Sequence, residues 1–436
     1  MTVETHTDAS APTSGTAARR SRRRGRAIVL ALAVPVASAA LMIPAAFAAD
    51  LSVEDQQMVA NLNTRVLDAR LGGNVSGVVL DAWSDTAVWD HNGATALMPA
   101  SNTKLGTATA ALTVLGPDHR FTTKAVLVNN DTLTLVGGGD RSLTTADLTA
   151  MAQTAAESLK IAGLTSVKIA VDDSLFPEPT LANGWNTGYY PNEIAPVRAL
   201  VVDQHAVQDT SLDAGQVFAK QLAAAGMTVD GSVTRITANP DDVVVADHES
   251  APLSDLVHHM IKVSDNNYAE TLLRMTALAA GRPATFDGGT AVVREVLSQT
   301  YGVSLDNYEI YDGSGLSRAN RIPAAALAEI LELLTEPRYV DTLGSILDGL
   351  PVSGEAGSTL GPEWGRFDDV YSSCAVGKIH AKTGTLTGAI ALSGLTVGKD
   401  GRFKVFSFVE NGSTANANSI KDAMDGLAAT VNGCYA

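Results

Sequence analysis

Four polar residues, Ser101 to Lys104, open an apolar run that ends at Leu115. Apolar residues recur in this run at three- and four-residue spacing, and Gly116-Pro117 follows it, so the run predicts a helix. Residues three apart on a helix lie on one face, which brings the Lys104 amine within reach of the Ser101 hydroxyl. The pattern therefore predicts a serine nucleophile with a lysine base at a helix N-terminus, where free N–H groups favour developing negative charge.

Two further motifs determine whether this serine–lysine pair indicates a catalytic site. A serine and a lysine three apart also occur on many solvated helix faces, so the pair alone has little specificity. Ser264-Asp265-Asn266 and Lys382-Thr383-Gly384-Thr385 follow it at long intervals. Helical spacing of apolar residues over 252–263 places the first of these at the C-terminal end of a helix. The three motifs in this order form the signature of penicillin-recognising serine acyl enzymes.

Acyl transfer requires a nucleophile, a base and a site for the oxyanion. Ser101 supplies the hydroxyl. A lysine with its usual pKa of about 10.4 is protonated at neutral pH, so Lys104 can act as the base only where its charge is disfavoured. Partial burial and a second cation, Lys382, both act in that direction.

The remaining motif residues have predicted roles around the bound substrate. Ser264 passes a proton to the leaving nitrogen, and the Asn266 amide hydrogen-bonds the substrate. Lys382 holds a carboxylate or polarises Ser264, Thr383 donates to the same carboxylate, and Gly384 permits a close approach of the substrate backbone. The oxyanion hole is expected from the backbone N–H groups of Ser101 and Thr385.

The first 48 residues have the composition of an export signal. Six arginines precede position 27, an apolar run follows, and Ala46-Phe47-Ala48 makes an A-x-A cleavage site. Because the run is long, an uncleaved membrane anchor is the alternative. The Arg22-Arg23 pair leaves general secretion and twin-arginine export both open.

Charge and cysteine content limit the possible partners and ligands. The chain has 47 acidic and 31 basic residues, and six of the basic ones lie in the signal. Such an acidic surface repels nucleic acid and anionic membrane, so membrane contact is expected only through an uncleaved N-terminal segment. Two cysteines outside the cytosol, Cys374 and Cys434, predict one disulfide; a zinc or redox pair would need other spacing. No metal or cofactor is expected, and His258 and His259 are interpreted as structural.

The periodicity of the chain predicts a mixture of helices and strands. Helical spacing predicts helices at 56–71, 101–115, 146–159, 214–225, 252–263, 324–334 and 420–431. Strands are predicted at 75–83, 86–90, 120–128, 132–136, 166–171, 231–237, 389–397 and 403–409. The helices at 146–159 and 214–225 each precede a strand after Ala-Gly, which indicates a degenerate repeat. The aromatic segment 183–196 is either a loop packed on that region or a wall of the substrate cleft.

The sequence resembles the low-molecular-mass class C penicillin-binding proteins, which are serine D-alanyl-D-alanine carboxypeptidases and endopeptidases. The likeness covers nearly all of the chain after the signal. It includes the three motifs and several shorter matches: Leu115-Gly116-Pro117-Asp118, Arg120-Phe121-Thr122-Thr123, Gly137-Gly138-Gly139-Asp140, Ser250-Ala251-Pro252-Leu253 and Asp312-Gly313-Ser314-Gly315-Leu316-Ser317-Arg318. The last of these is the most specific.

The resemblance implies a transpeptidase or β-lactamase-like domain, an antiparallel sheet flanked by helices. Residues 49–117 and 250–436 would form it, with a smaller α+β domain inserted at 118–249. It also implies an exported DD-peptidase that acts on peptidoglycan stem peptides and is acylated by β-lactam antibiotics. Arg318 would be a contact on the substrate side.

Two features depart from the family pattern. The insert has little room for the further nested domain that members often carry, and Glu355-Ala356 stands in a segment that is usually centred on glycine. Two other functions stay open: a β-lactamase or esterase on the same fold, and a cell-wall-binding protein without turnover. The presence of every motif residue disfavours the latter.

Overall fold

The computed structural model describes Leu51–Tyr435, and the predicted signal peptide lies outside the described residues. Ten helices are present in this part of the chain: α1 Val53–Arg65, α2 Thr103–Leu115, α3 Thr145–Ile161, α4 Thr210–Ala224, α5 Leu253–Val263, α6 Asn266–Ala279, α7 Phe286–Glu295, α8 Ala324–Glu332, α9 Val340–Gly349 and α10 Ala417–Val431. None of the described helices is long and apolar enough to span a bilayer.

Twelve strands accompany these helices: β1 Val75–Asp81, β2 Thr86–His91, β3 Ala96–Leu97, β4 Thr122–Val128, β5 Thr132–Val136, β6 Ser166–Asp172, β7 Thr228–Arg235, β8 Val243–Glu249, β9 Ile322–Pro323, β10 Ile379–Leu386, β11 Ala389–Val397 and β12 Phe403–Asn411. β3 and β9 form a short two-stranded pair, and the other ten strands form two five-stranded sheets.

The first sheet has the order β10-β11-β12-β1-β2 and is antiparallel throughout. β11 is buried on both faces over most of its length, which explains its nearly continuous apolar sequence. One face packs on α1 and α10, and the other contributes to the core that surrounds α2, α5, α6 and α8. Every residue of α2 from Thr103 to Leu112 is buried, so the helix behind Ser101 is the centre of this core.

The second sheet, order β7-β6-β5-β4-β8, comes entirely from residues 122–249. Pairing is parallel from β5 to β6 and from β6 to β7, and antiparallel elsewhere. α3 and α4 are the two crossover helices, and they share a core with the sheet. The predicted degenerate repeat therefore corresponds to two successive parallel strand–helix–strand units.

The predicted mixture of helices with an antiparallel sheet is confirmed, whereas several element boundaries were wrong. The predicted helix at 56–71 ends at Arg65, because the Asp68 side chain caps a separate 3₁₀ turn at Ala69–Leu71. Strands β3, β8, β9 and β10 and helices α7 and α9 had not been predicted. The predicted disulfide is present: Cys374 and Cys434 are bonded with a Cα–Cα distance of 5.8 Å, and it ties the end of the chain to the segment before β10.

Candidate active site

Ser101 lies in a 3₁₀ turn, Ala100–Asn102, that runs directly into α2. Ala100 has a φ of +47°, a conformation that is strained for a residue with a side chain and is concentrated at functional sites. Two glycines enclose this turn. A Cβ at Gly315 would lie 1.9 Å from the Ala100 carbonyl oxygen, and one at Gly384 would lie 2.6 Å from the Pro99 carbonyl oxygen.

These distances explain why residue 384 is a glycine, and the explanation differs from the one that the sequence suggested. The sequence analysis assigned this glycine to the approach of a substrate. In the structure the missing Cβ leaves space for the turn that carries Ser101.

The Lys104 amine has three oxygen neighbours. Lys104 Nζ lies 2.9 Å from Ser101 Oγ, 2.8 Å from Asn266 Oδ1 and 2.6 Å from the Ser314 carbonyl oxygen. A neutral amine has two N–H bonds and one lone pair. If the N–H bonds donate to Asn266 and Ser314, the lone pair faces the Ser101 hydroxyl, which is the geometry that proton abstraction requires.

Ser264 and Lys382 form a second hydrogen-bonded pair. Ser264 ends α5 in the left-handed conformation, with φ +63° and ψ +39°, and its N–H donates to the Met260 carbonyl. Lys382 Nζ lies 2.9 Å from Ser264 Oγ and 2.9 Å from the Thr383 carbonyl oxygen. The predicted proximity of the second and third motifs is therefore a direct hydrogen bond.

Asn266 is held at both ends of its amide. Its Oδ1 accepts from Lys104, and one of its Nδ2 protons is donated to the Glu193 carbonyl oxygen at 3.0 Å. One N–H remains for a substrate. Several hydrogen bonds join the aromatic segment 183–196 to this part of the molecule: Trp185 Nε1 donates to Asp312 Oδ2 at 2.7 Å, the Ala195 N–H donates to Asn267, and the Ser317 hydroxyl donates to the Asn183 carbonyl.

β10 is an edge strand of the first sheet, and it contacts the 3₁₀ turn that carries Ser101. The Ala381 N–H donates outward to the Pro351 carbonyl oxygen, away from β11. Because alternate residues of a strand direct their N–H groups to the same side, the Thr383 and Thr385 N–H groups also point outward. The Thr383 hydroxyl donates to Thr359 Oγ1 at 2.7 Å, a neighbour that sequence analysis missed.

Both lysines of the site are fully buried, and burial controls their pKa values. Burial lowers the pKa of Lys104 to about 8, against the opposing effect of Asp312, Asp265 and Glu270. Burial, with the charge of Lys104 as a second cause, holds the pKa of Lys382 well below its usual value. Lys104 is thus able to lose its proton near neutral pH.

A cleft of about 270 Å³ opens over these groups. Ser101, Ser264, Asn266, Thr383 and Thr385 all line it. Further lining residues that sequence analysis missed are Thr359, Trp364, Arg366, Leu386 and Lys421. Arg318 is exposed and is not one of the lining residues, so its predicted contact with substrate stays a prediction. A larger groove of about 1070 Å³, beside His258 and His380, is lined by residues outside the three motifs.

Among the described residues, one group of carboxylates has the spacing of a metal site: Asp55, Asp81 and Asp400. The Lys404 ammonium lies 2.7, 2.8 and 3.0 Å from their oxygens and occupies the position that a cation would take. This cluster is therefore an ion-pair network. The His259 ring packs at a tilt against that of Tyr268, and His259 lies 3.6 Å from Asp265, in keeping with the structural role predicted for it.

Comparison with known proteins places this geometry in a family. The family model described as D-Ala-D-Ala carboxypeptidase 3 (S13) matches residues 58–207 and 204–431, nearly all of the described chain. The chain belongs to this family. The S13 assignment confirms the resemblance to low-molecular-mass class C penicillin-binding proteins.

Individual S13 relatives agree with the assignment. The carboxypeptidase DacB of Mycolicibacterium smegmatis is 30% identical over 386 residues, which cover 83% of this chain and 81% of the relative. The D-alanyl-D-alanine carboxypeptidase of Actinomadura sp. strain R39 is 28% identical, with coverage of 94% and 91%.

A solved structure of the same fold comes from Haemophilus influenzae. Its penicillin-binding protein 4 superposes with a TM-score of 0.71 at 23% identity, covering 84% of this chain and 97% of that one. A complex of that protein with a β-lactam superposes with a TM-score of 0.64. The predicted fold class is thereby confirmed.

Proposed function

We propose that this protein is a serine DD-peptidase that removes the terminal D-Ala of peptidoglycan stem peptides through an acyl-enzyme on Ser101. The observation that carries the proposal is the Lys104 amine, buried beside the Ser101 hydroxyl and hydrogen-bonded to neutral oxygens. The names of the S13 relatives, D-alanyl-D-alanine carboxypeptidases among them, support the choice of substrate.

In the acylation step, Ser101 Oγ attacks the carbonyl carbon of the penultimate D-Ala while Lys104 takes the hydroxyl proton. The oxyanion lies between the N–H groups of Ser101 and Thr385, and one such donor contributes about two to three orders of magnitude in rate. The proton then passes through Ser264 to the leaving nitrogen, and free D-Ala departs. Lys382, held by its contact with Ser264, and Thr383 bind its carboxylate, and the Thr383 hydroxyl then turns its proton from Thr359 to the substrate.

Deacylation repeats the same chemistry with water. A water molecule gives its proton to Lys104 and attacks the ester carbonyl, and Ser101 recovers its proton as the acyl group leaves. Cleavage of cross-links would use the same steps with a longer leaving group. β-Lactams enter as substrates whose leaving nitrogen stays attached, so the acyl-enzyme persists.

The rest of the sequence analysis is consistent with this role. Residues 1–48 are proposed to be a cleaved signal that exports the enzyme to the cell wall. The second sheet, formed from residues 122–249, supports the proposal of an inserted domain at 118–249 between the two parts of a catalytic domain, 49–117 and 250–436.

The test is incubation of the mature protein with fluorescent penicillin, followed by intact mass and peptide mapping. A slowly hydrolysed adduct on Ser101 is expected, with none in Ser101→Ala, and D-Ala release from a stem pentapeptide should follow. Rapid loss of penicillin without a lasting adduct would identify a β-lactamase instead. A folded protein without adduct or turnover would support the binding-protein alternative.

A further inference from the structure

Glu270 is a buried carboxyl group that the proposed reaction does not use. It lies on α6, one turn after Asn266, and its side chain has no solvent exposure. Its Oε1 accepts hydrogen bonds from the backbone N–H groups of Gly313 at 2.9 Å and Ser314 at 2.7 Å. Its Oε2 is buried and has no hydrogen-bond partner among the described residues. A carboxylate in this environment is costly, so its presence requires a reason.

The backbone segment that Glu270 binds, Gly313-Ser314, also binds Lys104, the proposed base. The Ser314 carbonyl accepts from Lys104 Nζ at 2.6 Å, and the Gly313 carbonyl accepts from the Thr107 hydroxyl at 2.8 Å. Gly313 and Ser314 are therefore fixed between α6 on one side and α2 on the other. The next N–H, that of Gly315, donates to Asp312 Oδ1 at 3.1 Å and polarises the Ser314 carbonyl toward the amine.

We propose that Glu270 is a positioning residue: through Gly313 and Ser314 it holds the Ser314 carbonyl against Lys104, so that the amine's lone pair faces Ser101. The inference rests on the proposed function, since it concerns how the proposed base is oriented. Loss of the carboxylate would free the turn to move and would change the charge around the base.

The charged groups around Lys104 determine the direction in which its pKa should change when Glu270 is replaced. Asp265 faces it from the N-cap of α6 and Glu270 from within that helix, while Asp312 faces it from the turn and Lys382 from β10. Glu270 itself is faced by Asp312, by Arg274 on its own helix and by Tyr190. Burial, and Asp312 second, raise the pKa of Glu270 to about 7. Above that pH its negative charge favours the protonated form of Lys104, so removing the charge lowers the pKa of Lys104.

The first experiment is the pH dependence of the β-lactam acylation rate constant in Glu270→Gln, measured by stopped flow. Gln keeps an oxygen for the two N–H groups but carries no charge. The acid limb of the profile, in which the rate constant rises with pH as Lys104 loses its proton, is expected to move to lower pH by at least about 0.5 unit. Glu332→Gln is the matched control, because burial also raises the pKa of Glu332 to about 7 but its charged neighbours, Asp85, Glu329 and Glu336, are not in the site.

The second variant, Glu270→Asp, keeps the charge and shortens the side chain by one methylene. It withdraws the oxygen from Gly313 and Ser314, so the acylation rate constant should fall at least about five-fold while the limb stays near its wild-type pH. If Glu270 had only a structural role, both variants would be less stable, but one would not shift the pH profile while the other lowered the rate constant.

The proposal would be overturned if both variants had the wild-type pH profile and the wild-type acylation rate constant. If Glu270→Gln does not fold, the rate constant of Glu270→Asp decides the question by itself. Absence of any adduct in the wild-type protein would instead refute the acyl-enzyme on Ser101.

Discussion

Two buried lysines of this molecule have opposite surroundings. Lys104 contacts three uncharged oxygens, and burial lowers its pKa to about 8. Lys404 is equally buried but contacts the carboxylates of Asp55, Asp81 and Asp400. Burial alone would lower the pKa of Lys404, and the hydrogen bonds to those carboxylates outweigh it and raise the value.

The difference teaches that burial by itself does not make a base. Desolvation disfavours the ammonium at both positions, but only carboxylates within hydrogen-bonding distance compensate for it. Around Lys104 the carboxyl groups of Asp265, Glu270 and Asp312 act from beyond direct contact. One lysine is therefore available for proton transfer, and the other is part of the framework of the first sheet.

The largest expected effect is that of Lys104→Met. It removes the proposed base and leaves an apolar chain of similar length in a buried position. The acylation rate constant should fall by about two to four orders of magnitude, the usual contribution of a general base. Stopped-flow acylation with a chromogenic β-lactam measures it, with the melting temperature as the control for folding. A variant that acylates within a factor of two of wild type would remove Lys104 from the mechanism.

Lys404→Met should lower the stability of the protein and leave its acylation rate constant unchanged. Among the described residues it leaves Arg402 as the remaining cationic partner of Asp55, Asp81 and Asp400, and breaking a buried ion pair costs about 3 to 5 kcal/mol. Urea unfolding should show this loss, whereas the acylation rate constant of the folded protein should be unchanged. Unchanged stability would show that the cluster contributes little.

Asp400→Asn tests the same cluster more gently. The amide keeps an acceptor for Lys404 but removes one of three negative charges, and a hydrogen bond to a charged group contributes about 1.5 to 3 kcal/mol. The unfolding free energy should fall by no more than that amount. A larger loss than in Lys404→Met would contradict the assignment of Lys404 as the centre of the cluster.

The last expected effect is the dependence of wild-type acylation on pH. Only neutral Lys104 accepts the Ser101 proton, and its fraction falls ten-fold per pH unit below a pKa of about 8. The rate constant should therefore rise with pH and level off above that value. A profile that is flat from about two pH units below this midpoint to about one unit above it would mean that no group of this pKa controls the step.

Much of this arrangement could be predicted from the sequence because the three motifs are local. Ser101 and Lys104 share one helical face, and Ser264 follows a helix with clear apolar periodicity. The contacts between motifs are different. The Ser314 carbonyl is a backbone group with no side-chain signature, and its role at Lys104 depends on a contact between residues far apart in the chain.

Glu270 shows where a signal was available and was missed. A glutamate inside an otherwise buried helix, one turn from Asn266, is unusual enough to be noticed. Thr359 and Lys421 had no comparable signal, since only the folded chain brings them to the cleft. Strand β8 was missed because only Ala246 of its seven residues is buried, so its sequence lacks the alternation of apolar and polar residues that predicts a strand.

The most direct test of the contrast between the two lysines is an NMR titration of lysine side chains labelled with ¹³C at Cε. The resonance that disappears in Lys104→Met should titrate near pH 8, and the one that disappears in Lys404→Met should titrate above about 10.4, the usual value for lysine. A Lys104 resonance that titrates at or above that usual value would contradict the account, because the proposed base would then hold its proton throughout the working pH range.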